Sequence, residues 1–167
     1  MGATVSLTGS PQPTQAESDQ RTPFKEVSAG DLCEMGGRSL RVIETPGHTK
    51  RSISFLEEAG GILFVGDTLC SRPVELLDED SDLGEYIGTL EMLQVICKGT
   101  RKRPPVKTIY CDHGELEVPV SMIDDMLKLA LDIEAGKAKV SSTYIDSVTD
   151  KKVKVYRNGQ ASIAMPA

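Results

Sequence analysis

Between residues 32 and 65 the chain alternates short apolar runs with breaks that carry glycine or proline. Residues 32–35 and 40–43 flank Gly36-Gly37, which predicts a hairpin on a two-glycine turn. The β-branched run LRVIE (40–44) stops at Pro46-Gly47, SISFL (52–56) alternates with period two, EEAGG (57–61) turns, and ILFV (62–65) is an apolar run bounded by glycines. Three short strands follow, with His48 and Asp67 each on a loop just past a strand end. A strand holds the backbone there while the loop leaves the side chain free to point into a cleft.

Beyond Asp67 the period changes from two to 3.6. Leu83, Tyr86, Ile87, Leu90, Leu93, Ile96 and Cys97 fall on one stripe of a helix, opened by Ser81 or Asp80 and closed by Gly99. Residues 106–111 read as a buried strand that runs straight into Asp112-His113-Gly114-Glu115. Strand, helix and strand in that order imply a crossover with parallel pairing. The basic stretch Lys98, Arg101, Lys102 and Arg103 between them reads as a solvated loop before it reads as an anion contact. A second helix is predicted over residues 119–135, with Met122, Ile123, Met126, Leu127, Ala130 and Ile133 inward. Ser121 and Asp124 have capping-box spacing, and Gly136 ends it. Residues 153–156 and 161–164 around Asn158-Gly159 predict a closing hairpin.

Composition narrows the class. A chain of 167 residues is one domain, and 39% hydrophobic with 26% charged residues is a globular balance. The formal charge of -6 argues against a nucleic-acid partner. Residues 1–22, rich in Thr, Ser, Gln and Pro, are too poor in large aliphatics to fold alone, so they are expected to form a disordered tail ahead of a domain at 23–167. MGATVS at the start satisfies the short myristoylation pattern, but no polybasic patch supplies a second anchor and the match reads as coincidence. No apolar run reaches the ~18 residues of a membrane span and no signal-peptide pattern opens the chain, so an intracellular, cytoplasmic protein is expected. Cys33, Cys70, Cys97 and Cys111 lack C-x-x-C spacing and read as buried thiols.

The chain has two histidines, His48 and His113, both on strand-end loops. A lone histidine is usually an ordinary core or surface residue. Two of two in such positions, with Asp67 in a third, tilt the reading toward a metal site, because imidazole and carboxylate suit Zn, Fe or Mn.

The segments TPGHT (45–49), the SISF strand, FVGDTL (64–69), the helix EYIGTLEML and the strand ending CDHGE (111–115), in this order and spacing, resemble the C-terminal half of the metallo-β-lactamase fold superfamily. The resemblance spans roughly residues 24–135. It implies an α/β fold: half of an αββα sandwich, a mixed sheet with two helices on one face. It implies His48 as the histidine completing a first metal site, Asp67 as the catalytic carboxylate bridging two metals, and His113 as the histidine of the second site. Relatives of this kind hydrolyse esters, thioesters, amides or phosphodiesters with a metal-activated water. The family's first-half signature, His-x-His-x-Asp-His, does not occur here, because both histidines are already assigned. Lys50-Arg51 also stand where Pro-Gly commonly follows PGHT, and Asp112 where the family often has Gly.

The expected function is therefore a metal-dependent hydrolase represented by its C-terminal half, inactive or weakly active alone, with zinc (manganese or iron second) at weak or partial occupancy. Two alternatives stand beside it: a non-catalytic binding or regulatory protein of the same fold, and one half of an enzyme completed by a partner chain. Leaving the sheet's second face open is expected to drive self-association or to recruit a partner chain.

Overall fold

A computed structural model describes residues 26–167 and the two-residue strand Ala3–Thr4. Apart from that strand, the expected tail at 1–22 lies outside the described residues. Strand β1 (Ala3–Thr4) pairs antiparallel with β2 (Glu26–Val27). The chain then folds as the antiparallel meander β3 (Leu32–Glu34), β4 (Ser39–Glu44), β5 (Ile53–Glu57) and β6 (Ile62–Gly66). The β3–β4 turn is made by Gly36 and Gly37 at φ +61° and +95°, a conformation that explains the glycine pair. From β6 the chain runs through β7 (Val74–Glu75) and α1 (Leu83–Lys98) to β8 (Thr108–Cys111), parallel to β6, then to β9 (Glu117–Val118) and α2 (Met122–Glu134). The expected crossover is present, and the mixed sheet has the order β3-β4-β5-β6-β8-β9.

Two helix starts differ from expectation. Helix α1 is capped by Asp82, whose Oδ1 accepts from Glu85 N–H at 2.7 Å, in place of Ser81 or Asp80. Ser81 Oγ instead donates to His48 O at 2.6 Å, and Asp80 Oδ2 accepts from Lys50 N–H at 3.4 Å. At α2 the capping box does not form, because Ser121 itself has helical dihedrals and Asp124 Oδ1 accepts from Gln94 Nε2 at 2.7 Å. That contact ties the two helices together.

Both helices lie on one face of the sheet. Leu56, Leu63, Val65 and Ile109 share one core cluster with Tyr86, Leu90 and Leu93 of α1 and Met122, Ile123 and Met126 of α2. Each such side chain contributes roughly 1.5–3 kcal/mol by leaving water. On the other face the register aligns Val42, Phe55, Phe64 and Tyr110 in one row. Phe64 there is 38% exposed and stacks on Tyr110 with ring centroids 5.6 Å apart.

The C-terminal residues make a second sheet from β10 (Val140–Ile145), β11 (Lys152–Asn158) and β12 (Ala161–Pro166), ordered β10-β11-β12-β7. The Asn158-Gly159 hairpin is as expected, while β7, β9 and β10 were not foreseen. Two of those strands are two residues long, and β10 is exposed along its whole length, so none leaves an apolar alternation to read. Cys70, Cys97 and Cys111 are buried free thiols as expected, whereas Cys33 is only half-buried. Among the described residues no helix is long and apolar enough to cross a membrane.

Candidate metal centre

Strands β4, β6 and β8 point the same way, because β4 and β6 are each antiparallel to β5 and β8 is parallel to β6. Their carboxyl ends therefore share one edge, where open α/β sheets bind ligands. A register shift against β8 between Phe64 and Gly66, with Gly66 at φ +53°, breaks the ladder and turns Asp67 out of the sheet. All three sequence-predicted residues meet there. Asp67 Oδ1 is 3.2 Å from His113 Nε2, and Asp67 Oδ2 is 3.7 Å from His48 Nε2. His48 is the most enclosed of the three side chains, at 21% exposure against 35% for Asp67 and 56% for His113.

The surroundings hold these loops. His48 Nδ1 lies 2.6 Å from the main-chain oxygen of Glu75. A carbonyl can only accept, so Nδ1 is the nitrogen that donates there and Nε2 is the ring nitrogen turned toward Asp67. The start of α1 clamps the loop before it: Asp82 N–H donates to Gly47 O at 3.0 Å and Thr89 Oγ1 donates to Pro46 O at 2.7 Å. Gly47 sits at φ +132°, and a Cβ there would stand 2.5 Å from Tyr86 Cα, so only glycine fits. Beneath, the buried hydroxyls of Thr45 and Ser54 meet at 3.0 Å, and Thr68 Oγ1 donates to Thr45 Oγ1 at 3.2 Å, linking the His48 loop to the Asp67 loop. On the other side Ser71 Oγ accepts from Glu115 N–H at 2.7 Å and packs where a Gly114 side chain would be. The segment from Asp67 to Asp82 thus braces both histidine loops.

Two buried thiols, Cys70 and Cys111, lie beside the site. Burial, reinforced by the negative charge of Asp67, pushes the Cys70 thiol up to about 12, and burial also raises Cys111. With no ion bound, both are therefore held as neutral thiols packed against the site. The three predicted residues line a pocket of ≈ 480 Å³ that also includes Arg72, Glu75 and Tyr144, which the sequence did not point to. Arg72 could have been found as a cation five residues past Asp67 in an otherwise acidic stretch. Tyr144 carries no local signal, since it reaches the pocket from a distant strand.

Each side of the Asp67 carboxylate offers one oxygen and one imidazole, a donor set whose chemistry suits a divalent ion. The count falls short: two protein donors a side, where catalytic zinc has three, and no three His, Cys, Asp or Glu side chains among the described residues form a ready-made ion group.

The sequence pattern of the metallo-beta-lactamase superfamily matches residues 5–113, and the chain belongs to that superfamily. Hydroxyacylglutathione hydrolase from Rhodopseudomonas palustris (strain BisB5) is 33% identical over 120 residues, which are 70% of this chain and 40% of that protein. The same-named enzyme of Idiomarina loihiensis is 31% identical over 147 residues, 88% of this chain and 49% of its own length. The chain thus spans less than half of these curated relatives. Among solved structures, a metallo-beta-lactamase from Pontibacter korlensis superposes with a TM-score of 0.52 at 23% identity, covering 70% of this chain and 53% of its own. That likeness concerns the fold, an α/β arrangement with a mixed sheet and two helices.

Proposed function

We propose that this chain carries one half of the active centre of a metal-dependent hydrolase, and that the substrate class to test first is the S-acyl thioester that the relatives' name, hydroxyacylglutathione hydrolase, denotes. One observation carries the reading: a single carboxylate, Asp67, stands between two imidazoles at the shared carboxyl edge of three strands. When bound, a divalent ion, zinc first, supplies Lewis acidity and a nucleophile available near neutral pH. His48 presents Nε2 in a direction set by Glu75, Asp67 offers one oxygen to each side, and the more exposed His113 closes the far side. Arg72, the single lysine or arginine among the pocket's lining residues, is placed to meet an anionic group of the substrate.

Both histidines of the 167 residues are used, and this reading takes the third donor of each side from a further segment or another chain. On its own the chain should take up zinc weakly and hydrolyse slowly. The aromatic row at Phe55, Phe64 and Tyr110 is where a partner or second copy would cover the sheet. The unpaired thiols suit a reducing, cytoplasmic setting.

The test is metal analysis of the purified chain, with thioesterase, esterase and phosphodiesterase assays in added zinc or manganese. Weak uptake that depends on His48, Asp67 and His113 supports the half-centre. Two tightly held ions with substantial turnover would refute it and send the search to Asp112, Glu115 or a cysteine for further donors. No uptake, and no effect of the three substitutions, would leave a non-catalytic binding module of the same fold.

A further inference from the structure

Strand β7 lies between Asp67 and α1 and is only two residues long. It is held by β12, with Ile163 opposite Val74, Ala164 opposite Glu75, and Leu76 N–H donating to Ala164 O at 2.8 Å. Such a short edge strand has few ladder bonds to fix the direction of its carbonyls. At the opposite edge of that sheet, on β10, Tyr144 lines the pocket, and its hydroxyl donates to Glu75 Oε1 at 3.2 Å. Burial and then the Glu75 charge push this phenol up to about 12, so it remains a donor at ordinary pH. The main-chain oxygen of the same Glu75 is the atom that meets His48 Nδ1 at 2.6 Å. One residue therefore joins the C-terminal sheet to the candidate centre, its side chain held by Tyr144 and its main chain holding His48.

We propose that Tyr144 is a positioning residue for His48: by anchoring the Glu75 side chain it fixes the edge residue whose carbonyl sets the tautomer and aim of the imidazole. The inference rests on the reading of His48 as a metal ligand. An outer contact of this kind orients the ring and keeps the proton on the nitrogen that does not ligate. Strand β10, which lies beyond the 5–113 family match, thereby becomes part of the centre.

The experiment uses the full chain labelled with ¹⁵N. Long-range imidazole spectra report the His48 tautomer without metal, and titration calorimetry reports zinc binding, for the wild type, Tyr144→Phe, Glu75→Ala, Glu75→Gln and the Tyr144→Phe/Glu75→Ala double variant. The wild type should show His48 protonated at Nδ1. Tyr144→Phe and Glu75→Ala should each mix the tautomers and weaken zinc binding about threefold to tenfold, less than the ~10–100-fold of removing a contact made directly to a ligand. Glu75→Gln keeps an acceptor oxygen and should stay within about twofold, and the double variant should be no worse than the weaker single, because both changes remove one contact. Wild-type tautomer and zinc affinity in Tyr144→Phe, or effects that add in the double variant, would overturn the proposal. Zinc that shifts His48 resonances equally in wild type and Tyr144→Phe would retain the ligand and remove the positioning role. A tautomer shift in Tyr144→Phe with no zinc response at His48 in any variant would retain the orienting contact and remove the ligand.

Discussion

A single methyl added at Gly47 is expected to destabilise the protein by about 4 kcal/mol and to displace His48, from two separable costs. The first is conformational: at φ +132° an L side chain is in a sparsely populated region, at a cost on the order of 1–3 kcal/mol. The second is steric. The new Cβ would lie 2.5 Å from Tyr86 Cα and Cβ and 2.7 Å from Tyr86 N. Carbon atoms prefer separations of about 3.5–4.0 Å. Those atoms belong to the first turns of α1 and cannot swing aside, so the overlap adds roughly 1–3 kcal/mol. The total is a large share of the ~5–15 kcal/mol that holds a domain together. If the loop moved instead, it would break the hydrogen bonds from Asp82 N–H to Gly47 O and from Ser81 Oγ to His48 O. Urea denaturation is the assay: at an m-value of about 2 kcal/mol/M the midpoint should fall by roughly 2 M. Gly37→Ala is the control, since Gly37 also has positive φ but meets nothing within 4 Å, and should lose only about 1 kcal/mol. Equal midpoints for the two variants would refute the reasoning and mean that the loop slides off α1 without consequence.

Other outcomes follow from the same geometry. His48→Ala, Asp67→Ala and His113→Ala should each lower zinc uptake in calorimetry, Asp67→Ala most because it removes a donor from both sides, while Cys70→Ala and Cys111→Ala should change it little. Alkaline titration tests the buried thiols: Cys70 and Cys97 stand at about 12 and about 11 in the fold against 9.0 when unfolded. The unfolded chain therefore binds fewer protons above that value, so stability should be full below pH ~9 and fall as pH climbs toward the folded values, by about 1.4 kcal/mol per unit for each thiol. Arg72→Ala should raise KM for a carboxylate-bearing thioester more than for a neutral ester, in a preparation with measurable turnover. Phe64→Glu should reduce both apolar-dye binding and any concentration-dependent association seen by sedimentation, and unchanged association would remove that face as the interface.

Much of the sheet and both helices were legible because their signals are local. The apolar runs at 40–44, 52–56 and 62–65 became β4, β5 and β6, and the 3.6-residue stripe from Leu83 to Cys97 became α1. The helix caps were displaced for a reason no local rule contains. Ser81 and Asp80 have the right chemistry for capping, but the His48 loop, some thirty residues away, takes their oxygens, and Asp82 is left to cap the helix. The three candidate ligands were legible as strand-end residues, since each polar residue follows an apolar run closely. That they share an edge depends on strand direction, which the helix between β6 and β8 implied.

What could not be read is the set of groups that aim those ligands, because each acts through a main-chain atom or from a distant strand. Glu75 holds His48 with its carbonyl, a group every residue possesses, so its side-chain identity carries no trace of that role. Ser71 holds the His113 loop through the amide of Glu115, and Tyr144 arrives from a strand with no buried position. The ligands announce themselves by residue type, whereas the groups that orient them are defined by where the backbone has been brought. A centre assembled this way is expected to tolerate changes of residue type at Glu75 that keep an acceptor oxygen, and to fail when β7 loses its pairing with β12. Ala164 faces β7, its carbonyl accepting from Leu76 N–H, so Ala164→Pro removes a donor on that side and should weaken zinc binding while Glu75→Gln retains it.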